Sequence, residues 1–212
     1  GDVYKRQDYI EEDIDLNIHL IKNTPADGMV AGFGRVNGDQ FGHDKARCIV
    51  MSYDYTVMAG TQGFKNHYKK DRMFSLAEKW QLPVIFFAEG GGGRPGDTEW
   101  STPAGLDVPT FHLWAKLSGL VPMIGITTGR CFAGNAVVLG CCDVIIATKG
   151  SNICMGGPAM IEGGGLGVFT PEEVGPMEVQ VQNGVVDIPV NDEIEAVQVA
   201  KKYLSYFQGS LK

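Results

Sequence analysis

Long apolar runs are missing from this sequence of 212 residues. No stretch reaches the roughly 18 consecutive apolar residues that span a membrane, and no signal-peptide pattern opens the chain, so we expect no membrane partner. Basic residues are also few, because 18 lysines and arginines stand against 25 acidic residues, which gives a formal net charge of −7. This balance argues against non-specific binding to nucleic acid, and we expect no nucleic-acid partner.

Cysteines in a disulfide or metal-binding pattern are missing as well. The sequence has five cysteines, an odd number, and no C-x-x-C motif. This usage favours reduced, mostly buried thiols in a protein of modest size with one domain. We therefore expect a cytoplasmic protein with no metal site in this domain.

Common catalytic motifs are absent too. The chain has no G-x-x-x-x-G-K-[ST] phosphate loop and no G-x-S-x-G nucleophile elbow, and Gly32-x-Gly34 lacks the third glycine of a dinucleotide fingerprint. The histidines lie away from the glycine-rich turns, so we expect surface or packing roles for them; they are His19, His43, His67 and His112.

Two glycine-rich turns, each directly after an apolar strand, are what the chain does have. The segment 84–88 runs into the glycines at 90–93, and the segment 122–127 runs into 129–136, which opens a helix of small residues. Glycines after a strand expose backbone N–H groups, and a helix start adds the positive end of its dipole. Together such turns can stabilise a developing oxyanion, and neither carries an obvious nucleophile.

The remaining pattern predicts an α/β fold with mostly parallel strands. Strands are predicted at 29–36, 47–55, 84–88, 122–127, 143–148 and 152–155, and helices at 64–81, 107–119, 133–142 and 192–207. Asn37-Gly38-Asp39 predicts a tight hairpin turn between the first two strands. A run of basic residues on the first long helix is interpreted either as a local basic patch or as a solvated face; it comprises Lys65, His67, Lys69, Lys70 and Arg72.

Ordered motifs also carry a resemblance to a known family. Residues 54–63, DYTVMAGTQG, resemble D-F-T-x-x-G-G-S-x-G; residues 89–94, EGGGGR, resemble E-S-G-G-A-R; and residues 129–136, GRCFAGNA, resemble G-x-C-x-A-G-G-A. Gly156-Gly157-Pro158 and the segments 170–175 and 184–187 follow in the same order. These are motifs of the carboxyltransferases of biotin-dependent acyl-CoA carboxylases. The chain resembles their N-terminal half, and its motifs are nearest those of the propionyl-CoA, methylcrotonyl-CoA and acetyl-CoA enzymes.

The resemblance implies a crotonase-like fold, the ββα superhelix also found in ClpP, over residues 28–209. It implies carboxyl transfer from carboxybiotin to the α-carbon of an acyl-CoA, with the thioester enolate held by backbone amides. The implied cofactor is biotin on a separate domain or subunit, and the implied substrate is a coenzyme A thioester. The implied partners are acyl-CoA, the biotin carboxyl carrier domain, the C-terminal half of the carboxyltransferase and further copies of the chain.

The resemblance also assigns site residues. Gly134 and Asn135 correspond to the catalytic amide pair at the thioester carbonyl, and the amides of Gly91 and Gly92 are expected to border the same pocket. Further substrate-binding positions are Gly93, Ala133, Ala136, Gly156 and Gly157.

The chain departs from the family pattern at three positions of its glycine turns. Gly90 replaces a serine, Asn135 a glycine and Arg130 a smaller residue. Because asparagine tolerates a positive φ, we expect the turn at Asn135 to be retained.

Two alternatives remain open at this point. One is a crotonase-type acyl-CoA hydratase or thioesterase, which needs a carboxylate such as Glu89 or Glu162 at the pocket. The other is a non-catalytic module that assembles a carboxylase complex. Residues 1–7 resemble a sequencing-adapter scar and residues 8–27 form an N-terminal segment, so we expect a fragment that lacks the C-terminal domain.

Overall fold

The computed structural model describes residues 18–19, 21–94 and 108–210. The expected scar at 1–7 and most of the N-terminal segment lie outside the described residues. The strands are β1 (Met29–Arg35), β2 (Arg47–Tyr53), β3 (Val84–Phe87), β4 (Met123–Thr127), β5 (Arg130–Phe132), β6 (Val144–Thr148), β7 (Asn152–Cys154) and β8 (Ile188–Val190). Six of them form one sheet in the order β1-β2-β3-β4-β6-β8, and β5 pairs with β7 in a second sheet.

The main sheet is parallel except at one edge. β1 runs antiparallel to β2, whereas β2, β3, β4, β6 and β8 are parallel neighbours. The prediction of a tight hairpin turn between β1 and β2 is wrong in length. Asn37 does adopt the left-handed conformation, but a one-turn helix, α1 (Gly38–Phe41), follows it. This longer connection contributes two buried apolar side chains, Phe41 and Ala46.

Helices pack on both faces of the main sheet. After α1 the helices are α2 (Phe64–Trp80), α3 (Thr110–Lys116), α4 (Gly134–Gly140), α5 (Pro158–Gly163), α6 (Met177–Gln182) and α7 (Glu193–Ser205), with short 3-10 helices at Pro25–Gly28, Met58–Gly60 and Pro171–Glu173. Phe74 of α2 and Trp114 of α3 lie in one apolar cluster, and Leu204 of α7 lies in the other. Successive residues of a strand point to opposite faces of the sheet. Because both faces are covered, the inner strands are apolar throughout.

Two successive ββα units confirm the predicted fold class. β4, β5 and α4 form the first, and β6, β7 and α5 form the second, with β5 pairing in parallel with β7. The sequence pattern did not indicate β5, because only its pairing with β7 and a bridge between Cys131 and Gly90 make this short segment a strand. Among the described residues, no helix is long and apolar enough to cross a membrane.

Candidate active site

The start of α4 presents unpaired backbone amides. β5 ends at Phe132, and Ala133 then turns the chain with φ 51 and ψ −124 before α4 begins at Gly134. Val137 donates to the carbonyl of Ala133, but no described residue accepts from the N–H groups of Gly134 or Asn135. The two adjacent amides therefore remain available at the positive end of the helix, next to a strained residue.

The strained position is not the one expected from the sequence. Ala133 has the positive φ, whereas Asn135 lies within α4. The asparagine therefore does not replace a glycine for its backbone conformation. Its side chain has a different task, because it is fully buried.

The Asn135 side chain joins three turns through four hydrogen bonds. Its Oδ1 accepts from Nε2 of Gln62 at 2.9 Å and from the amide of Gly92 at 3.0 Å. Its Nδ2 donates to the carbonyls of Gly60 at 3.2 Å and Glu89 at 3.1 Å. These bonds use the two donors of the amide group and both lone pairs of its oxygen, so the side chain is fully satisfied.

The turn at 90–93 packs directly against the start of α4. A Cβ added to Gly92, which has φ 89, would lie 2.5 Å from the Cβ of Ala133 and 3.3 Å from the nitrogen of Gly134. Only glycine allows this close approach. The two glycine turns thus meet at one end of the sheet.

The amides of Gly91 and Gly92 are, however, already used within the protein. Gly91 donates to the carbonyl of Ala59 at 3.1 Å, and Gly92 donates to the side chain of Asn135. The structure therefore gives these two amides a role in holding the turn, while the amides of Gly134 and Asn135 are the ones left without an acceptor among the described residues.

The other expected binding positions lie around the start of α4. Gly93 forms a parallel bridge with Gln62, and the Ala133 amide donates to the carbonyl of Cys154, just before Gly156 and Gly157. A Cβ on Gly157 would lie 3.6 Å from the ring of Phe132. The side chain of Ala136, by contrast, packs in the core, so only its backbone faces the turn.

A buried ion pair fixes the far end of the glycine turn. Arg94 contacts Asp27, and it also donates to the hydroxyl and the carbonyl of Thr61 at 3.2 and 3.0 Å. Asp27 in turn accepts from the amide of Asn66 in the first turn of α2 at 2.8 Å. No sequence pattern pointed to Asp27, because it lies in a short turn far from the glycine motifs.

Comparison with known proteins decides the family. The carboxyl transferase domain model matches residues 7–211. The chain belongs to the carboxyl transferase domain family. The resemblance inferred from its motifs and the crotonase-like fold are thereby confirmed.

Individual relatives agree with this assignment. The uncharacterized carboxylase YngE of Bacillus subtilis is 31% identical over 191 residues, which are 89% of this chain and 36% of that protein. The methylmalonyl-CoA carboxyltransferase 12S subunit of Propionibacterium freudenreichii is 30% identical over 86% of this chain and 33% of its own length. The chain thus spans about a third of the length of these curated relatives.

A solved structure is more similar still. A single-chain, multi-domain long-chain acyl-CoA carboxylase matches with a TM-score of 0.86 and 62% identity over 91% of this chain and 19% of its own. The crystal structure of the transcarboxylase 12S hexamer matches with a TM-score of 0.73 and 30% identity, over 86% of this chain and 34% of its own.

Two ionisable side chains of this carboxyl transferase domain are buried near the turns. Lys70 of α2 is fully buried and donates to the hydroxyl of Tyr53 at 2.9 Å and to Oε1 of Gln62 at 2.8 Å. Burial holds the pKa of Lys70 well below its ordinary value, and the carboxylates of Asp71 and Asp27 only partly oppose this. The interpretation of the basic run as a patch or a solvated face is therefore wrong for Lys70 and for the buried His67.

His67 belongs to a short polar chain between α2 and α3. The hydroxyl of Thr110 donates to Asp71, so its oxygen accepts from Nδ1 of His67 at 2.8 Å. Burial, together with the nearby charge of Lys70, lowers the pKa of His67 to about 3. The imidazole is therefore neutral, and it has the packing role expected from the sequence.

Neither a thiol nor a carboxylate of the glycine turns is arranged as a nucleophile. Cys131 is fully buried, its Sγ contacts the carbonyl of Ala88 at 3.1 Å, and burial raises the pKa of its thiol far above the ordinary value. The carboxylate of Glu89 accepts from the amide of Thr128 at 2.6 Å and from its hydroxyl. All five cysteines are free, and within the described part of the chain no three metal-binding side chains gather.

Proposed function

We propose that the complete enzyme transfers a carboxyl group from carboxybiotin to the α-carbon of an acyl-CoA. In this proposal the amides of Gly134 and Asn135 hold the thioester oxygen as the enolate develops. The observation that carries it is the adjacent pair of amides without an acceptor, among the described residues, at the start of α4. Gly134 is only partly buried, whereas Asn135 is fully buried, so Gly134 is the member of the pair that is open to solvent.

The contribution of the chain itself is binding and electrostatic stabilisation. Loss of a single oxyanion donor costs about 3 to 4 kcal/mol in comparable sites, and a pair held rigidly by the surrounding turns needs no reorganisation during the reaction. When bound, carboxybiotin supplies the carboxyl group and a nitrogen base, so no side-chain base is required at the turns. The holder of the ureido oxygen is assigned by the family resemblance to the C-terminal half of the carboxyltransferase.

The substrate class follows from the same comparison. The structure that is 62% identical to this chain is that of a long-chain acyl-CoA carboxylase, which supports long-chain acyl-CoA thioesters as first substrates to test. The further proposed binding positions are Gly91, Gly92, Gly93 and Ala133 on one side and Gly156 and Gly157 on the other, together with the backbone of Ala136.

The proposed partners are a biotin carboxyl carrier domain, the C-terminal half of the carboxyltransferase and further copies of the chain. The similar transcarboxylase 12S protein assembles as a hexamer, which supports an oligomer. We also propose a cytoplasmic location, which the five free thiols support.

The hydratase or thioesterase alternative finds little support. It needs a carboxylate at the Gly134 amide, but the Glu89 carboxylate bonds to Thr128, and Glu162 lies exposed on α5. The assembly-module alternative is tested by isothermal titration of the isolated chain with an acyl-CoA. A module that only assembles the complex should give no heat, whereas a chain that holds the thioester should bind it.

The decisive assay uses the complete enzyme. Carboxybiotin and acyl-CoA thioesters of increasing chain length are supplied, and the products are separated by mass spectrometry. We expect an acyl-CoA carboxylated at the α-carbon. Hydrated acyl-CoA or free CoA as the main product, without carboxylation, would refute the proposed function.

A further inference from the structure

A buried network of three side chains links α2 to both glycine turns. It consists of Lys70, Gln62 and Asn135, and we call it the Lys70–Gln62–Asn135 network. Nζ of Lys70 donates to Oε1 of Gln62, and Nε2 of Gln62 donates to Oδ1 of Asn135. Each of the three side chains is at most 3% exposed.

The network is in contact with the proposed oxyanion site. A Cβ on Gly134 would lie 3.1 Å from Nε2 of Gln62, so this side chain lies directly beside the amide pair. The backbone of Gln62 also holds the turn at 90–93, because its amide donates to the carbonyl of Gly92 at 2.7 Å and its carbonyl accepts from Arg94 at 3.1 Å. Displacement of Gln62 would therefore move both turns.

Two departures from the family pattern are coupled in this network. A Cβ on Gly90 would lie 2.2 Å from Nδ2 of Asn135 and 2.2 Å from the carbonyl oxygen of Gly60. The serine of the resembled motif has no room at position 90, because the Asn135 amide and the Gly60 carbonyl fill that space. Glycine at 90 thus leaves room for both the Asn135 side chain and the Gly60 carbonyl.

The side chain of Lys70 is buried without a carboxylate partner in the described part of the chain, which lowers the stability of the folded state. Among the described residues, no carboxylate lies within ion-pair distance of Lys70, and its acceptors are the neutral groups of Tyr53 and Gln62. Burying an ammonium with only neutral acceptors disfavours the folded state. Hydrogen-bonded polar networks in a protein interior can instead fix one arrangement of the elements they join.

We propose that the Lys70–Gln62–Asn135 network positions the amides of Gly134 and Asn135 for carboxyl transfer by locking the turns at 58–62, 89–93 and 133–136 together. This proposal rests on the proposed function. The three side chains are positioning residues, because they act through the turns and not on the substrate. A preorganised donor pair accelerates the reaction only while it stays within a fraction of an ångström of the productive position.

The first test compares Asn135→Ala and Gln62→Leu in the complete enzyme. Both variants keep the backbone amides, and Gln62→Leu approximately keeps the side-chain volume. We expect kcat for carboxyl transfer to fall at least about tenfold, because the donors are no longer held at the developing charge, while the dissociation constant of acyl-CoA changes by less than about threefold. Lys70→Met should have a smaller effect of the same kind.

Matched controls come from a second pair of buried amides. Asn37 and Gln208 are 8% and 4% exposed and bond to each other at 2.9 Å, away from the glycine turns. Asn37→Ala and Gln208→Leu should lower the melting temperature but leave kcat unchanged. If the network variants behave like these controls, with lower stability and unchanged kcat, the network is merely structural and the proposal is wrong.

Amide hydrogen exchange gives a measurement that does not depend on activity. We expect faster exchange in the peptides covering 89–93 and 133–136 in Gln62→Leu, and no change there in Gln208→Leu. Unchanged exchange in Gln62→Leu would overturn the network as a lock on the turns. If the wild-type enzyme carboxylates no acyl-CoA while Gln62→Leu still exchanges faster in these peptides, the proposed function is refuted and the network remains a lock on the turns.

Discussion

The buried histidine of α2 should make the stability of this domain depend on pH. An unfolded histidine titrates near 6.5, and burial lowers the pKa of His67 to about 3. Between these values the unfolded chain binds a proton that the folded chain does not. The free energy of unfolding therefore falls as the pH drops below 6.5, and the loss is complete below about pH 3.

The magnitude follows from the two pKa values. Their difference corresponds to at most about 5 kcal/mol when the pH falls through both. About 2 kcal/mol is lost between pH 8 and pH 5, where fewer carboxylates titrate. In His67→Asn the side chain cannot be protonated, so this part of the pH dependence should disappear, although the amide retains a hydrogen bond to Thr110 and the variant is less stable at pH 8.

Guanidinium unfolding at pH 8, 6.5 and 5, followed by tryptophan fluorescence, measures the effect. The difference in the free energy of unfolding between the wild type and His67→Asn should shrink by about 2 kcal/mol from pH 8 to pH 5. His112→Asn, which removes an exposed histidine on α3, is the control. Parallel profiles of the wild type and His67→Asn over this range would refute the argument that His67 remains neutral because it is buried.

Three further predictions concern the turns and the surface. Gly134→Val should lower carboxyl transfer by the complete enzyme about 100- to 1000-fold with acyl-CoA binding retained, because the side chain would meet Gln62 beside the amide pair; normal turnover would contradict the assignment. Asp27→Ala removes the carboxylate that Arg94 contacts and should lower the free energy of unfolding, measured by guanidinium titration, by about 3 kcal/mol or more. The control Glu172→Ala breaks the exposed ion pair with Arg130 and should change the free energy of unfolding little. The isolated chain should show no carboxyl transfer, because the holder of the ureido oxygen is proposed to lie in the C-terminal half; carboxylated product above background would show that the biotin site is misplaced. The isolated chain should also self-associate in sedimentation experiments, because apolar side chains such as Leu166 and Val168 are 74% and 78% exposed.

Local sequence was enough to predict six of the eight strands in the described residues, the helices α2, α3, α4 and α7, and the two glycine turns, but not the three-residue strands β5 and β8. The inner strands are apolar because both faces of the sheet are covered, and this pattern is visible in any short window. The glycines are required by close approaches of the backbone, as at Gly60, where φ is 64 and a Cβ would lie 2.7 Å from the carbonyl oxygen of Glu89. Ordered motifs added the family and the crotonase-like fold.

The tertiary structure alone decided how the site is held. Asn135 and Gln62 are 73 residues apart in sequence, and no periodicity or propensity reports such a contact. The burial of Lys70 could not be predicted from the sequence either, since a lysine on an amphipathic helix normally extends to solvent. Which amides remain free also depends on distant acceptors: Gly91 and Gly92 find theirs in Ala59 and Asn135, whereas Gly134 and Asn135 find none among the described residues.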